Sequence, residues 1–257
     1  MSRWRTVLLI VPLLIALMVI SCESPNTGDA KYFPNTNGST WIYNVTAEIG
    51  GGEPLTYDQT FTINGTMVID TVTCQIMVRT DTLTPDQEFR GFFYDNESAS
   101  VKGYGEDVYQ SDVLIRSVRY STPLDNLEYP LVINKNWTMM NLTGIKPTAF
   151  PFISFNTDDL DNDGVDDTMD SYITANTPLQ EDITVPAGTF TACYKIKYDC
   201  NLTIHFSELG DQTVTFPVEV WFQPEVGRVK LHYSVDFPDP MQDLQVTAEL
   251  KSYTIAP

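Results

Sequence analysis

Residues 158–170 read DDLDNDGVDDTMD, the densest run of carboxylates in the chain. With Asp159 as position 1, Asp161 falls at position 3, Asp163 at 5, Gly164 at 6, Val165 at 7, Asp167 at 9 and Asp170 at 12. Alternate carboxylates at this spacing converge on one divalent cation, and the backbone carbonyl of Val165 adds an oxygen from position 7. Gly164 permits the sharp turn that swings the second half of the loop onto the metal. Without a cation these side chains repel one another at short range. The expected occupant is a structural Ca²⁺ that orders the loop; a plain solvated acidic loop is the alternative.

The loop resembles the DxDxDGxxDxxD repeats of thrombospondin type 3 and dockerin modules. It departs from an EF-hand, because its flanks at 152–155 and 172–175 are apolar, β-rich runs and not helices. Without a helix pair there is nothing for Ca²⁺ to open, so a sensor role is not expected. Asp170 replaces the longer Glu at position 12, which leaves the choice between Ca²⁺ and Mg²⁺ open.

Little else in the chain suggests chemistry. His205 and His232 are its only histidines, and both sit in alternating patterns that read as sheet faces. No GxSxG, HExxH, CxxC or glycine-rich phosphate loop is present. No spacing singles out a glycosidase-like carboxylate pair. The chain therefore reads as non-enzymatic, with a carbohydrate-active enzyme as the least favoured reading. Phe92, Phe93, Tyr94, Tyr104 and Tyr109 form a middle aromatic group. It reads as core packing first, and as an apolar or sugar-binding face second.

The elements that must position the loop are strands. Past residue 31 there is no sustained 3.6-residue apolar period, only short Val/Ile/Thr/Tyr/Phe runs divided by turn residues. The expected strands cover 41–49, 55–63, 66–78, 89–94, 98–104, 108–120, 131–142 and 148–155 before the loop. After it they cover 172–175, 179–185, 190–198, 202–206, 214–222, 229–237 and 244–255. Asn64-Gly65 is the strongest hairpin signal. Sequential antiparallel pairing makes this an all-β chain with a single large curved sheet, either a half-barrel or two-layer β. The acidic loop, residues 156–171, is an insertion into that sheet and not a boundary between domains.

The first residues set the address. Arg3 and Arg5 precede an apolar run too short to span a bilayer stably, which reads as a secretory signal over residues 1–21. Val19-Ile20-Ser21-Cys22 resembles a bacterial lipobox, which implies cleavage and lipidation of Cys22; an uncleaved anchor helix is the other reading. Residues 22–31 would then be the lipidated cysteine and a flexible tether, and residues 32–257 the β domain. Several acyl chains make a durable membrane anchor. Glu23, in place of the aspartate linked with inner-membrane retention, implies the outer membrane, on its periplasmic or surface face, over the inner membrane.

The formal charge is −19, and the mature chain, lacking Arg3 and Arg5, is more acidic still. Such a surface repels phosphate backbones and anionic headgroups, so nucleic-acid binding is excluded and the membrane link is the lipid alone. Export permits disulfides. With Cys22 lipidated, Cys74, Cys193 and Cys200 allow one bond at most. Cys193 and Cys200 lie ~23 Å apart along a straight strand. The expected pair is therefore Cys74 with Cys193 or Cys200, with three free thiols as the alternative.

Two end motifs complete the reading. Tyr32-Phe33-Pro34, Gly38, Trp41 and Tyr43 form YFPxxxGxxWxY. Trp221-Phe222, Pro224, Val226-Gly227 and Val229-Lys230 form WFxPxVGxVK, preceded by Val185–Phe190 (VPAGTF) and Cys193. Together they resemble a group of uncharacterised bacterial lipoproteins, distantly similar to the LolA/LolB carrier fold. The resemblance implies curved antiparallel sheets and supplies no catalytic residue. The expected function is a non-enzymatic envelope lipoprotein whose β domain is structural or binds an envelope protein. A carrier or sensor of a lipid or other apolar ligand in a half-barrel is the alternative.

Overall fold

The computed structural model describes Tyr32 and residues 35–96, 99–151, 157–161, 163–236 and 243–257. The signal segment, Cys22, the tether, Phe33 and Pro34 lie outside the described residues.

Among the described residues, strand alternation and turn chemistry build twelve strands. They are β1 Thr40–Ile49, β2 Leu55–Ile69, β3 Val72–Asp81, β4 Gln87–Asn96, β5 Ser100–Gln110 and β6 Val113–Glu128. Then come β7 Asn136–Ile145, β8 Thr168–Val185, β9 Gly188–Phe206, β10 Gly210–Gln223, β11 Gly227–Val235 and β12 Leu244–Thr254. All join one antiparallel sheet, in the order β6-β5-β4-β3-β2-β1-β12-β11-β10-β9-β8-β7. The chain thus starts mid-sheet, meanders out to one edge, crosses to the other and meanders back. The sheet curls into a nearly closed barrel, further than the half-barrel read from sequence. Edge strands β6 and β7 meet at the seam, where the Trp137 indole N–H donates to the Asp125 carbonyl at 3.0 Å.

Several boundaries differ from expectation. Asn64-Gly65 is not a hairpin but a bulge inside β2, between the Ile63–Met77 and Thr66–Gln75 pairs. Gly65 has φ +83 there and donates its N–H to Asn37 Oδ1 at 2.7 Å. The hairpin turn is Asp70-Thr71 instead, with φ +47 and +73. Ser111-Asp112, at φ +48 and +65, likewise splits the run expected as one strand over 108–120. Positive φ at both central residues matches the twist of flanking strands, and a short polar side chain such as Asp visits that region more readily than most. The expected strand over 148–155 is also corrected in part. Pro147–Ala149 form one 3₁₀ turn, and residues 152–156 lie outside the described part.

The main core lines the inner face. Trp41 and Tyr43 of β1 point into it, and so do Val45 and Ala47 of the same strand. The Trp41 indole N–H donates to the Val226 carbonyl and the Tyr43 hydroxyl to the Arg228 carbonyl, both at 2.8 Å. The two end motifs therefore pack on each other, with their polar atoms satisfied inside an apolar body. Tyr32 stacks on Tyr129 and meets Tyr194 edge-on. The middle aromatic group is split: Phe93 enters the main core, Phe92 a small separate cluster, and Tyr94 is exposed.

The expected disulfide is not formed. Cys74, Cys193 and Cys200 are free, buried thiols. Cys74 of β3 sits with Ile69 and Phe92 in the separate cluster, whereas Cys193 and Cys200 of β9 belong to the main core. Five strands stand between β3 and β9 in the sheet. Burial pushes the Cys74 and Cys193 thiols up to about 11 and Cys200 up to about 12, which suppresses the reactive thiolate.

Candidate metal centre

The acidic loop bridges β7 and β8 and is stitched at its base. The Asp167 N–H donates to the Asp158 carbonyl at 2.7 Å. The Asp158 carboxylate accepts from the Thr148 N–H and hydroxyl at 2.9 and 2.7 Å. Lys146 spans Asp166 at 2.6 Å and Asp158 at 3.4 Å. Within the loop, Gly164 turns at φ +95 and donates its N–H to Asp159 Oδ2 at 3.0 Å. That contact folds the loop back toward its start.

Three of the expected ligands come together. One carboxylate oxygen from each of Asp159, Asp161 and Asp167 lies within 4.8 Å of the other two. Oxygens bound to one Ca²⁺ at about 2.4 Å lie at most about 4.8 Å apart, so a single ion can touch all three. Asp167 is 1% exposed, and its Oδ2 accepts from the Leu160 N–H at 2.6 Å. Its Oδ1 is buried without a hydrogen-bond partner, as is Oδ2 of Asp161. Desolvation, helped by Asp163 and Asp167, raises the Asp161 pKa. Uncompensated carboxylate oxygens at this depth are costly unless a cation completes them.

The other expected ligands are engaged elsewhere. Asp163 accepts from the Ser207 hydroxyl and from the Val165 N–H at 2.7 Å, and these bonds hold its pKa down. Asp170 already belongs to β8, opposite Thr203. It accepts from the Gly144 N–H at 2.7 Å and lies 3.2 Å from His205 Nε2, contacts that lower its pKa. The Val165 side chain is exposed. Spacing alone could not expose these diversions, since Gly144, His205 and Ser207 come from other parts of the chain. His205 also meets Asp211 at 2.8 Å, and His232 meets Thr247 at 3.0 Å, so both histidines are sheet-face residues.

A second polar constellation, unforeseen from sequence, lies inside the barrel. Arg79 and Arg228 are each 1% exposed. Arg79 shares the inward parity of Met77 on β3, a charge at a core-facing position that the alternation could have flagged.

No protein-family model matches the chain, and no curated protein matches it in sequence. Two solved structures share a loose likeness over most of its length. A Bacteroides fragilis protein taken to be exported, with a YmcC-like fold, is 14% identical over 88% of this chain and 99% of its own, at a TM-score of 0.37. A Parabacteroides distasonis protein taken to be a lipoprotein is 15% identical over 90% of this chain and 100% of its own, at a TM-score of 0.39.

Proposed function

We propose that this chain is a non-enzymatic lipoprotein of the bacterial cell envelope, anchored through Cys22, with a structural or protein-binding β domain that Ca²⁺ stiffens. The observation that carries the metal is Asp167: a buried carboxylate with one unpartnered oxygen beside Asp159 and Asp161. Held there, the ion would tie the start of the loop to the residue just ahead of β8. The remaining ligands would come from water and backbone oxygens, because neither Asp163 nor Asp170 joins the three carboxylates that converge. Extracellular calcium sites of modest affinity are filled where the ion is abundant, which fits an exported location.

A structural role is favoured over an apolar carrier because aromatic side chains fill the inner face. Trp41, Tyr43, Phe61 and Tyr198 are all essentially fully buried there. The anchor reading rests on the lipobox-like sequence, with outer-membrane placement following from Glu23. Two experiments test the halves separately. The purified domain should melt higher with Ca²⁺ than with chelator, and superimposed melts would remove the metal from the proposal. In cells fed an alkyne-tagged fatty acid, the full chain should carry the label and its Cys22→Ser variant should not; equal labelling of both would remove the anchor.

A further inference from the structure

We propose that the barrel interior binds a small oxyanion, a carboxylate or phosphate group, between the guanidinium groups of Arg79 and Arg228. Arg79 lies 3.6 Å over the Phe89 ring, and Arg228 lies 4.2 Å over Tyr43 and 5.0 Å over Phe61. Phe61 is the direct cross-strand partner of Arg79, so one ring layer carries both cations. Ring faces satisfy the charge in part but accept no N–H in the guanidinium plane. Nε and Nη2 of both arginines are buried without a hydrogen-bond partner, and so is the Tyr233 hydroxyl.

No carboxylate among the described residues lies within ion-pair distance of either arginine. The carboxylates that act on Arg79 are Asp81 first, which accepts from the Thr84 N–H and hydroxyl at 2.7 and 2.9 Å, and then Glu106, which is held by Arg116 and by the Tyr120 hydroxyl. Burial pulls the Arg79 guanidinium down to about 10, against the pull of Asp81, Tyr57 and Glu106, and Arg228 adds to the lowering. Tyr233 feels both Tyr57 and Arg79, which brings its hydroxyl into the same neighbourhood. Arg228 also hydrogen-bonds the Tyr43 side chain, but Nε and Nη2 of both guanidinium groups and the Tyr233 hydroxyl remain donors without a protein acceptor in this part of the core. Nε and Nη2 are the edge of a guanidinium that pairs with two oxygens of one oxyanion. Buried guanidinium N–H groups without an acceptor are otherwise unfavourable.

The test uses the wild-type chain with Arg79→Met, Arg228→Met and Tyr233→Phe variants. Methionine keeps the aliphatic stem, and replacing a buried charge with an apolar chain of similar volume is often neutral or stabilising, so folded variants are expected. Each protein is refolded and melted in chloride, acetate and orthophosphate at matched ionic strength. The expected result is a midpoint several degrees higher for wild type in acetate or phosphate than in chloride, with most of that increment lost in both Arg variants and part of it in Tyr233→Phe. Acetate and phosphate arms identify which oxyanion is preferred. Phosphate also stabilises proteins generically by exclusion, and that effect is common to all four proteins. If all four respond alike, the guanidinium groups hold only water and the proposal is overturned. Native mass spectrometry gives a second readout: wild type should retain an anionic adduct that both Arg variants lack, and the same adduct on all three would count against the proposal.

Discussion

Charge of one sign gathers twice in this protein, and the two places handle it differently. In the 157–170 loop, carboxylates near the surface are met by backbone N–H groups of Leu160, Asp163, Gly164 and Val165, by Ser207 and by Lys146. Inside the barrel, Arg79 and Arg228 are met chiefly by aromatic faces, with a hydrogen bond between Arg228 and the Tyr43 side chain. The difference follows from the backbone. A loop has N–H groups free to turn toward carboxylates, whereas carbonyls of a central strand are committed to the ladder and cannot turn toward a guanidinium. An acidic cluster in a loop can thus be mostly satisfied by its own chain. A basic pair on a sheet interior has only side chains, water or a ligand to call on.

The largest expected effect falls on the interior. Phe61→Ala removes the ring beneath Arg228, the cross-strand partner of Arg79 and an edge-on contact of Tyr43. It should cost about 3–5 kcal/mol in denaturant unfolding. A loss below about 1 kcal/mol would mean that the ring layer does not support the buried cations.

Next comes the loop. With Ca²⁺ at about a hundred-fold its Kd, the midpoint should rise by roughly 5–10 °C. Asp167→Asn should abolish that increment, while Asp170→Asn should keep most of it, because Asp170 serves Gly144 and His205. Equal losses in the two variants would restore Asp170 as a ligand and break the contrast between committed and uncommitted carboxylates.

The smallest effect is a pH dependence at the loop's edge. Hydrogen bonds from the imidazole to Asp211 first, then to Asp170, raise the His205 pKa. A raised imidazole pKa contributes stability that is complete below its unfolded value of about 6.5 and is lost as pH climbs through the folded value. The stability advantage of wild type over His205→Gln should therefore shrink as pH rises above about 6.5 and through the raised folded value. An advantage that grows with pH would show that His205 acts by packing and not by charge.

The strand pattern was readable because alternation is local, and so was the all-β class. Turn positions were less so. Asn64-Gly65 carries the stronger hairpin signal, yet the chain folds back at Asp70-Thr71, because the pairing of β2 with β3 extends beyond the bulge at Gly65. The loop was legible as a spacing of carboxylates. Its final ligand set was not, since Asp163 is claimed by Ser207, 44 residues away, and Asp170 by Gly144, 26 residues away. Cysteine count bounded the disulfides at one; the sheet order then placed Cys74 in a different cluster from Cys193 and Cys200.

By itself, then, the sequence determined the strands, the acidic loop with its turning glycine, the lipobox-like opening and the strong negative charge. Each depends on neighbours within a few residues, where chain geometry leaves few choices. Tertiary structure alone decided that the sheet curls until β6 meets β7, that Asp167 keeps a buried open oxygen, and that Arg79 and Arg228 share one ring layer. Those outcomes depend on which strands become neighbours in the closed sheet, and residues on β2, β3 and β11 meet only when packing brings their faces together.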